Sequence, residues 1–361
     1  MDLIRRLKYR LYPALSRYII WATLAEGVLK GSGKPFRGLF ADNTPFTKYL
    51  LHKVFDGPVR VIRKRRIRIP ALRKTIRSSA EDIDLCIAVL PGKYEPEFRG
   101  LYTFRGQEYV RQIIDTSGPW DEIRRRFHRN KRKLSNSLHE NYHYRVSVDI
   151  KDFDFFYHRM HLPLIKKRFG DFSLVDSYDE MKHFFLKGFL LLISSNERIV
   201  AGSLCMVENR VLVARRAGVL DGDPEHIRRG AQAALSYCRL LFAKEQGIQK
   251  VDTMKSLPFL NDGVYKAKRE WGAEVCPDDE SQSWVYFFIP RYTQEVVRFF
   301  QDNPVIIHTE GGLKGVVGVT DGAGLSEETG KALAKHFSAP GLKGLLLLTP
   351  SSTAPLEFSF F

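Results

Sequence analysis

From Tyr142 to Ile289 the hydrophobic positions form a regular series of elements. "YHYRVSVDI" (142–150) alternates with a period of two and predicts a strand. "KDFDFFYHRMHLPLIKKRFG" (151–170) repeats at helical spacing, with a kink or an end expected at Pro163. "DSYDEMKHFFLKG" (176–188) predicts a second helix. Three strands follow closely, "FLLLIS" (189–194), "RIVAGSLCMVE" (198–208) and "RVLVARRAGVL" (210–220), and links this short predict antiparallel hairpins. Asp223, Pro224 and Glu225 supply a cap and first turn for a long helix reaching Gln246, which Gly247 closes. Strand "QKVDT", helix "GVYKAKREWG" and strand "SWVYFFI" complete the order β-α-α-β-β-β-α-β-α-β.

The flanks read differently. "VRVIRKRRIRI" (59–69) predicts an edge strand, because β-branched residues alternate there with arginines. "DLCIAVLP" (84–91) predicts a buried strand, "EYVRQIID" (108–115) a half-buried one, and the stretch from Pro119 to Glu140 a very basic helix. Beyond Pro290 comes a small α/β pattern: a helix at 292–301, strand "PVIIHT", a glycine-rich stretch, a helix capped by Ser326 and strand "LKGLLLL". The expected organisation is a basic segment (1–78), a main domain (79–290) and a small accessory α/β region (291–361).

Charge sharpens that division. The 361 residues carry a net charge of +16, yet residues 1–78 hold 19 basic against 4 acidic side chains, while the rest is nearly balanced. Such an asymmetry points to a polyanion, either nucleic acid such as tRNA or an anionic membrane surface; the plain alternative is a solvated face. Leu3, Ile4, Leu7 and Leu11 fall near helical spacing with Arg5, Arg6, Lys8 and Arg10 between them, which predicts a basic amphipathic helix ended by Pro13. No apolar run is long enough for a transmembrane helix, and the opening lacks a signal-peptide pattern, so the expected location is cytoplasmic, with peripheral attachment at the inner membrane face. The four cysteines (Cys86, Cys205, Cys238, Cys276) are far apart and suggest neither a disulfide framework nor a zinc site.

Two motifs are decoys. "HENYH" (His139–His143) has the H-E-x-x-H form, but its second histidine begins a strand, and i,i+4 histidines share a face only on a helix. In "GVLKGSGKP" (27–35) the spacing is one residue too long for a P-loop, and Pro35 replaces the magnesium-binding hydroxyl. No metal is expected.

The element order, with "DEIRRRFHRNKRKL", "IVAGSLCMV" and the run from Arg228 to Ala273 ending in Lys268, Trp271 and Gly272, resembles the GNAT acyltransferase superfamily. The detail resembles its FemAB-like branch, which includes peptidyltransferases of peptidoglycan bridges. The resemblance covers roughly residues 79–290. It implies an α/β (α+β) fold with a mixed central sheet and flanking helices, and an N-acyltransferase moving an acyl or aminoacyl group onto an amine, in cell-envelope metabolism or on a small molecule. It also implies two central strands that part, so that exposed amides hold the donor and polarise its carbonyl.

By position the parted strand is "RVLVARRAGVL", centred on Ala214. Arg215 and Arg216 face opposite sides of it. One of them either holds a phosphate or carboxylate of the donor, or both are rim residues satisfied by Asp221 and Asp223. "RRGA" (Arg228, Arg229, Gly230, Ala231) is the candidate pyrophosphate loop, although its spacing is short by one and acidic residues precede it; acyl-CoA and aminoacyl-tRNA remain alternative donors, with no tightly bound cofactor expected. Tyr265 and Lys268 share a helix face. The resemblance implies Lys268 as the oxyanion-stabilising group, with Tyr265 beside it. Asp252 is the candidate general base or, on a structural reading, the cap of the next loop. Trp271 is expected to pack and Gly272 to turn the chain. The competing expectation is a non-catalytic GNAT scaffold that binds RNA or anionic lipid through residues 1–78.

Overall fold

The computed structural model describes residues 18–43, 46–169, 176–320, 326–350 and 354–360. The expected amphipathic helix before Pro13 lies outside the described residues. The chain forms two compact units. Unit 1 comprises Met1–Val110, Ser256–Lys266 and Pro277–Phe361, and unit 2 comprises Arg111–Lys255 and Ala267–Cys276.

In unit 1 a six-stranded sheet has the order β3-β1-β2-β4-β13-β5. Its strands are β1 (Ile19–Leu29), β2 (Pro35–Asp42), β3 (Phe55–Arg68), β4 (Leu85–Pro91), β5 (Phe104–Gln107) and β13 (Ser283–Phe288). β4 sits in the middle, and its burial on both faces follows from its unbroken apolar run. One face packs Phe36, Phe40, Phe55, Ile87 and Phe287, and the other packs Ile20, Leu90 and Tyr286 with Leu72 and Ile76. The helices α1 (Phe46–Val54) and α2 (Ile69–Ser78) belong to these two layers, α1 to the first and α2 to the second. A second sheet, ordered β14-β15-β16-β17, comprises β14 (Val305–Thr309), β15 (Gly312–Gly318), β16 (Leu342–Leu348) and β17 (Leu356–Ser359). The helix that follows β13, Gln294–Asp302, puts Val296, Val297, Phe299 and Phe300 into the first of those cores.

The boundaries expected at residues 78/79 and 290/291 therefore fall inside unit 1. The described part of the basic segment is not separate: β1 pairs with β2 from Trp21–Asp42 to Val28–Pro35, and β2 pairs in parallel with β4. "SWVYFFI" is β13, bonded to β4 and β5, so it closes the sheet of unit 1 and not that of unit 2. The glycine-rich Gly27–Pro35 is the β1–β2 hairpin, with φ of 74° at Gly31 and 68° at Gly33.

Unit 2 is built on one mixed sheet ordered β12-β6-β11-β10-β9-β8-β7. Its strands are β6 (Val110–Asp115), β7 (His143–Ser147), β8 (Phe189–Ser195), β9 (Arg198–Glu208), β10 (Val211–Val219), β11 (Lys250–Ser256) and β12 (Glu274–Cys276). β7 through β10 form antiparallel neighbours, the β8–β9 and β9–β10 pairs being those the short links predict. Side chains alternate as the pleat requires: Leu191 and Ile193 enter one core with Ile123, Phe127, Leu138, Leu235 and Trp271, while Leu190 and Leu192 enter another with Phe153, Phe156, Met160 and Phe185. The first core is covered by α3 (Trp120–Arg125), α4 (Arg129–Asn141) and the long helix after β10; the second by α5 (Ile150–Phe155), a π-helical turn at Phe156–His161, α6 (Leu162–Phe169) and α7 (Tyr178–Phe185).

Two local expectations change and one holds. Pro163 does not end the helical run, which continues through α6; the irregularity is the π turn at Phe156–His161 just before it. The long helix is two, α8 (Pro224–Arg228) and α9 (Ala231–Glu245), separated by Gly230 at φ 102°. Of the H-E-x-x-H pair, His139 lies on α4 and His143 opens β7, and Tyr237 Oη sits 3.1 Å from His139 Nδ1.

Candidate functional site

A β10–helix–β11 crossover should give two parallel strands paired along their length. It does not. β10 and β11 pair at Val211–Lys250, Leu212–Val251 and Val213–Asp252, and no further pair follows among the described residues. From there β10 stays with β9 as far as Val219–Ala201, with one extra residue between Ala214 and Arg216. β11 stays with its other neighbour: Thr253 Oγ1 donates to Gln112 O at 2.7 Å. Two charged sequences meet where pairing ends, Arg215-Arg216 on one strand and Asp252 on the other. Ala214, the first residue past the last pair, is buried.

Asp252 sets the course of β11. It is 4% exposed, and its Oδ1 accepts from Met254 N at 2.7 Å while Oδ2 lies 3.3 Å from Arg111 Nε. Met254 has φ 66°, a left-handed conformation a methionine adopts only when its surroundings impose it. Lys268, on α10 (Gly263–Glu270), holds the same turn from above: its Nζ donates to Met254 O and to Lys255 O, each at 3.0 Å. The lysine ammonium is thus at the end of β11, on the carbonyls of the strained turn. Tyr265 is fully buried, while Lys266 is exposed. Trp271 packs edge-on against Phe127 at 5.1 Å between ring centroids, and Gly272, at φ 79°, passes so close to Arg126 that a Cβ would lie 3.1 Å from its carbonyl oxygen.

The two arginines of β10 separate. Arg216 grips Asp176 with two prongs, Nη2 to Oδ1 at 2.6 Å and Nε to Oδ2, and its Nη1 donates to Arg215 O at 2.8 Å. Burial pushes the Asp176 carboxyl up, but the hydrogen bonds and charge of Arg216 outweigh it, and the group titrates below the usual carboxylate range. The Arg215 guanidinium stacks on Phe184, 3.8 Å from the ring centroid. The expectation that Asp221 and Asp223 satisfy this pair is corrected. Asp221 pairs with Arg159 at 2.7 and 2.8 Å, and Asp223 caps α8 by accepting from Glu225 N.

The candidate pyrophosphate loop is arranged differently from a cradle. Arg229 N donates to Glu225 O at 2.9 Å and Gly230 N to Ile227 O at 3.0 Å, so both amides are spent on the end of α8. The guanidinium groups of Arg228 and Arg229 both reach Glu225, and Ala231 is buried at the start of α9.

Pattern reading missed Asp176 and His161. His161 ends the π turn; its Nδ1 lies 2.9 Å from Ala217 O, on the stretch of β10 that has parted from β11. With Nδ1 bonded to a carbonyl, Nδ1 carries the proton and Nε2 is an acceptor. Nε2 is buried with no hydrogen-bond partner among the described residues. Burial lowers the pKa of the imidazole, the Ala217 carbonyl partly offsets this, and Arg216 adds to the lowering. The π turn comes this close because Gly218 has no side chain: a Cβ there would lie 2.6 Å from Met160 Cβ and 2.7 Å from His161 N. The sequence signal is weak, a glycine in a strand opposite a helical run, which marks close approach but not which residue arrives.

No family model matches the chain, and no curated protein matches it by sequence. Solved structures do show likenesses. L-PGS from Bacillus licheniformis is 12% identical over 72% of this chain and 82% of its own, with a TM-score of 0.36. FemX is 12% identical over 74% of this chain and 84% of its own, with a TM-score of 0.39. A GCN5-related N-acetyltransferase from Sphaerobacter thermophilus is 11% identical over 71% of this chain and 73% of its own, with a TM-score of 0.30. Likenesses this distant carry no argument about chemistry, which rests on the geometry of unit 2.

Proposed function

We propose that the protein is an N-acyltransferase, and that the donor's acyl group binds where β10 and β11 part. The observation that carries this reading is the end of strand pairing at Val213–Asp252, with a bulged β10 on one side and the Met254 turn on the other. An acceptor amine attacks the acyl carbonyl, the bond to the donor's leaving group breaks, and the proton shed by nitrogen reaches that group by way of a base. Backbone amides of the parted stretch and the Lys268 ammonium stabilise the oxyanion; each well-placed donor is worth about 3–4 kcal/mol of the barrier. Asp252 is engaged on both oxygens, so the proton passes to His161 Nε2, whose lowered pKa keeps it unprotonated near neutrality. The donor is a carrier other than one that needs an amide cradle at Arg228–Ala231, which favours an aminoacyl ester over a CoA thioester. The acceptor is an amine of cell-envelope or small-molecule type.

The test begins with thermal shift of the full chain against a panel of acyl-CoAs and aminoacyl-tRNAs, then measures transfer from the stabilising donor. Lys268→Ala is expected to lower kcat about a hundredfold at unchanged fold, with Lys268→Arg recovering part of it. A change in KM alone would reduce Lys268 to a binding group. Failure of every donor to stabilise the protein would remove the reading.

A further inference from the structure

We propose that β3 and α2 of unit 1 form a docking surface for an anionic lipid bilayer. β3 is an edge strand, bonded among the described residues only to β1, and eleven of its fourteen residues are exposed. Between Gly57 and Ala80 the chain carries nine lysines and arginines and no acidic residue. One or two cations are enough to stop an edge strand from pairing with another chain. Nine exceed that need. Arg60 pairs with Glu26, but Arg63, Arg73, Lys74 and Arg77 make no ion pair among the described residues. Arg65 Nη2 donates to Thr75 Oγ1 at 3.2 Å and joins the strand's cations to those of the helix. On α2, Pro70, Arg73, Lys74, Arg77 and Ser78 line an open groove of about 590 Å³, three cations with no carboxylate, sized for phosphate headgroups.

What favours a bilayer over RNA is the apolar part of the surface. Single-stranded RNA is held by aromatic faces on which bases stack. Here the Trp21 ring is covered by Lys64 and Arg66, at 5.2 and 5.0 Å from its centroid, and Tyr18, 57% exposed, has Lys93 on its ring at 4.3 Å. The bare apolar side chains are aliphatic, Val61 at 50% and Ile62 at 40% exposure, in the midst of the arginines. Aliphatic residues flanked by cations suit the boundary between headgroups and acyl chains and offer nothing to a base.

The test is co-sedimentation of the full chain with vesicles of phosphatidylcholine alone and of phosphatidylcholine with about one part in three phosphatidylglycerol. Binding is expected to the anionic vesicles only and to weaken steeply with salt. Each surface cation is worth about fivefold in partition, so Arg73→Gln, Lys74→Gln and Arg77→Gln together should cost roughly a hundredfold. Val61→Ser with Ile62→Ser should cost roughly tenfold without altering charge. These positions are exposed, and an unchanged melting temperature checks that the variants fold. Equal binding to neutral vesicles, no binding, or a triple variant that binds as the parent does would each overturn the proposal. So would tRNA bound more tightly than vesicles with the Val61/Ile62 variant unaffected, which would assign the surface to RNA. None of these outcomes depends on transfer chemistry in unit 2.

Discussion

Two parallel strand pairs, one in each unit, join their strands through helical crossovers and end differently. In unit 1, β15 and β16 pair from Leu313–Leu342 to Gly318–Leu348, essentially their whole length. In unit 2, β10 and β11 pair for three residues and part. The difference lies in what the strands carry at mid-length. "GLLLL" (344–348) of β16 is apolar, and Leu345, Leu347 and Leu348 are fully buried, so nothing competes with the ladder for the backbone. β10 carries Arg215-Arg216 and β11 carries Asp252, and two of these side chains bond to backbone or counter-charge at the place where the ladder would continue, Asp252 to Met254 N and Arg216 to Arg215 O and Asp176, while Arg215 stacks on Phe184. Side-chain bonds to nearby backbone offer an alternative to sheet pairing. An interrupted ladder whose polar groups are supplied by named side chains is a built opening and not a frayed end.

The first way to test this contrast is to attack the apolar pair. Leu347→Ala removes a fully buried side chain and should cost about 2–5 kcal/mol in denaturant unfolding of unit 1. A loss under about 1 kcal/mol would show that burial is not what holds β15 and β16 together. The second attacks the polar support. Asp252→Ala leaves Met254 N and Arg111 without that carboxylate, expected at about 1–3 kcal/mol, with faster hydrogen exchange confined to β11. If exchange in β11 stays slow, the strand's course is set by something other than Asp252.

A third test uses pH and touches both units. His308 of unit 1 is pushed down to about 4, first by burial and then by the charge of Arg105, and burial lowers His161 of unit 2. Both groups stay neutral in the folded chain at a pH where the unfolded chain takes up protons. Unfolding therefore binds protons, and stability present above pH ~6.5 is lost as the pH falls from there toward 4. His308→Asn should flatten the slope for unit 1, and His161→Asn the slope for unit 2. Slopes identical in parent and variants would show that neither imidazole is held neutral. The smallest effect is expected at the α8 end: Arg228→Ala with Arg229→Ala removes exposed pairs to Glu225 and should move stability by less than about 1 kcal/mol. A large loss of donor affinity in that variant would restore "RRGA" to the binding site.

Parts of both units were legible in the chain. "RIVAGSLCMVE" is β9 and "LKGLLLL" is β16 residue for residue, because long apolar runs bounded by turn residues leave little choice of element. "VRVIRKRRIRI" reads as an edge strand, and β3 is one. By contrast, pattern reading places no strand over Ile19–Leu29 or Pro35–Asp42, where the alternation in "WATLAEGVL" is blurred by alanine and glycine. It also runs α8 and α9 together as one long helix, since a glycine inside a helical pattern does not announce the φ of 102° at Gly230.

What the sequence determined alone was local: which stretches are strands or helices, where charge gathers, and that Trp271 is packed and Gly272 turned. Those follow from nearest-neighbour sterics, periodicity and burial, which short windows contain. Only the tertiary structure decided which strands share a sheet, that β13 joins β4 and β5, and that Asp176, His161, Arg216 and Ala217 assemble along one stretch of β10. Those pairings join residues forty or more positions apart, and their energy depends on which backbone groups remain unsatisfied once every strand has chosen its neighbours, a quantity no window of sequence carries.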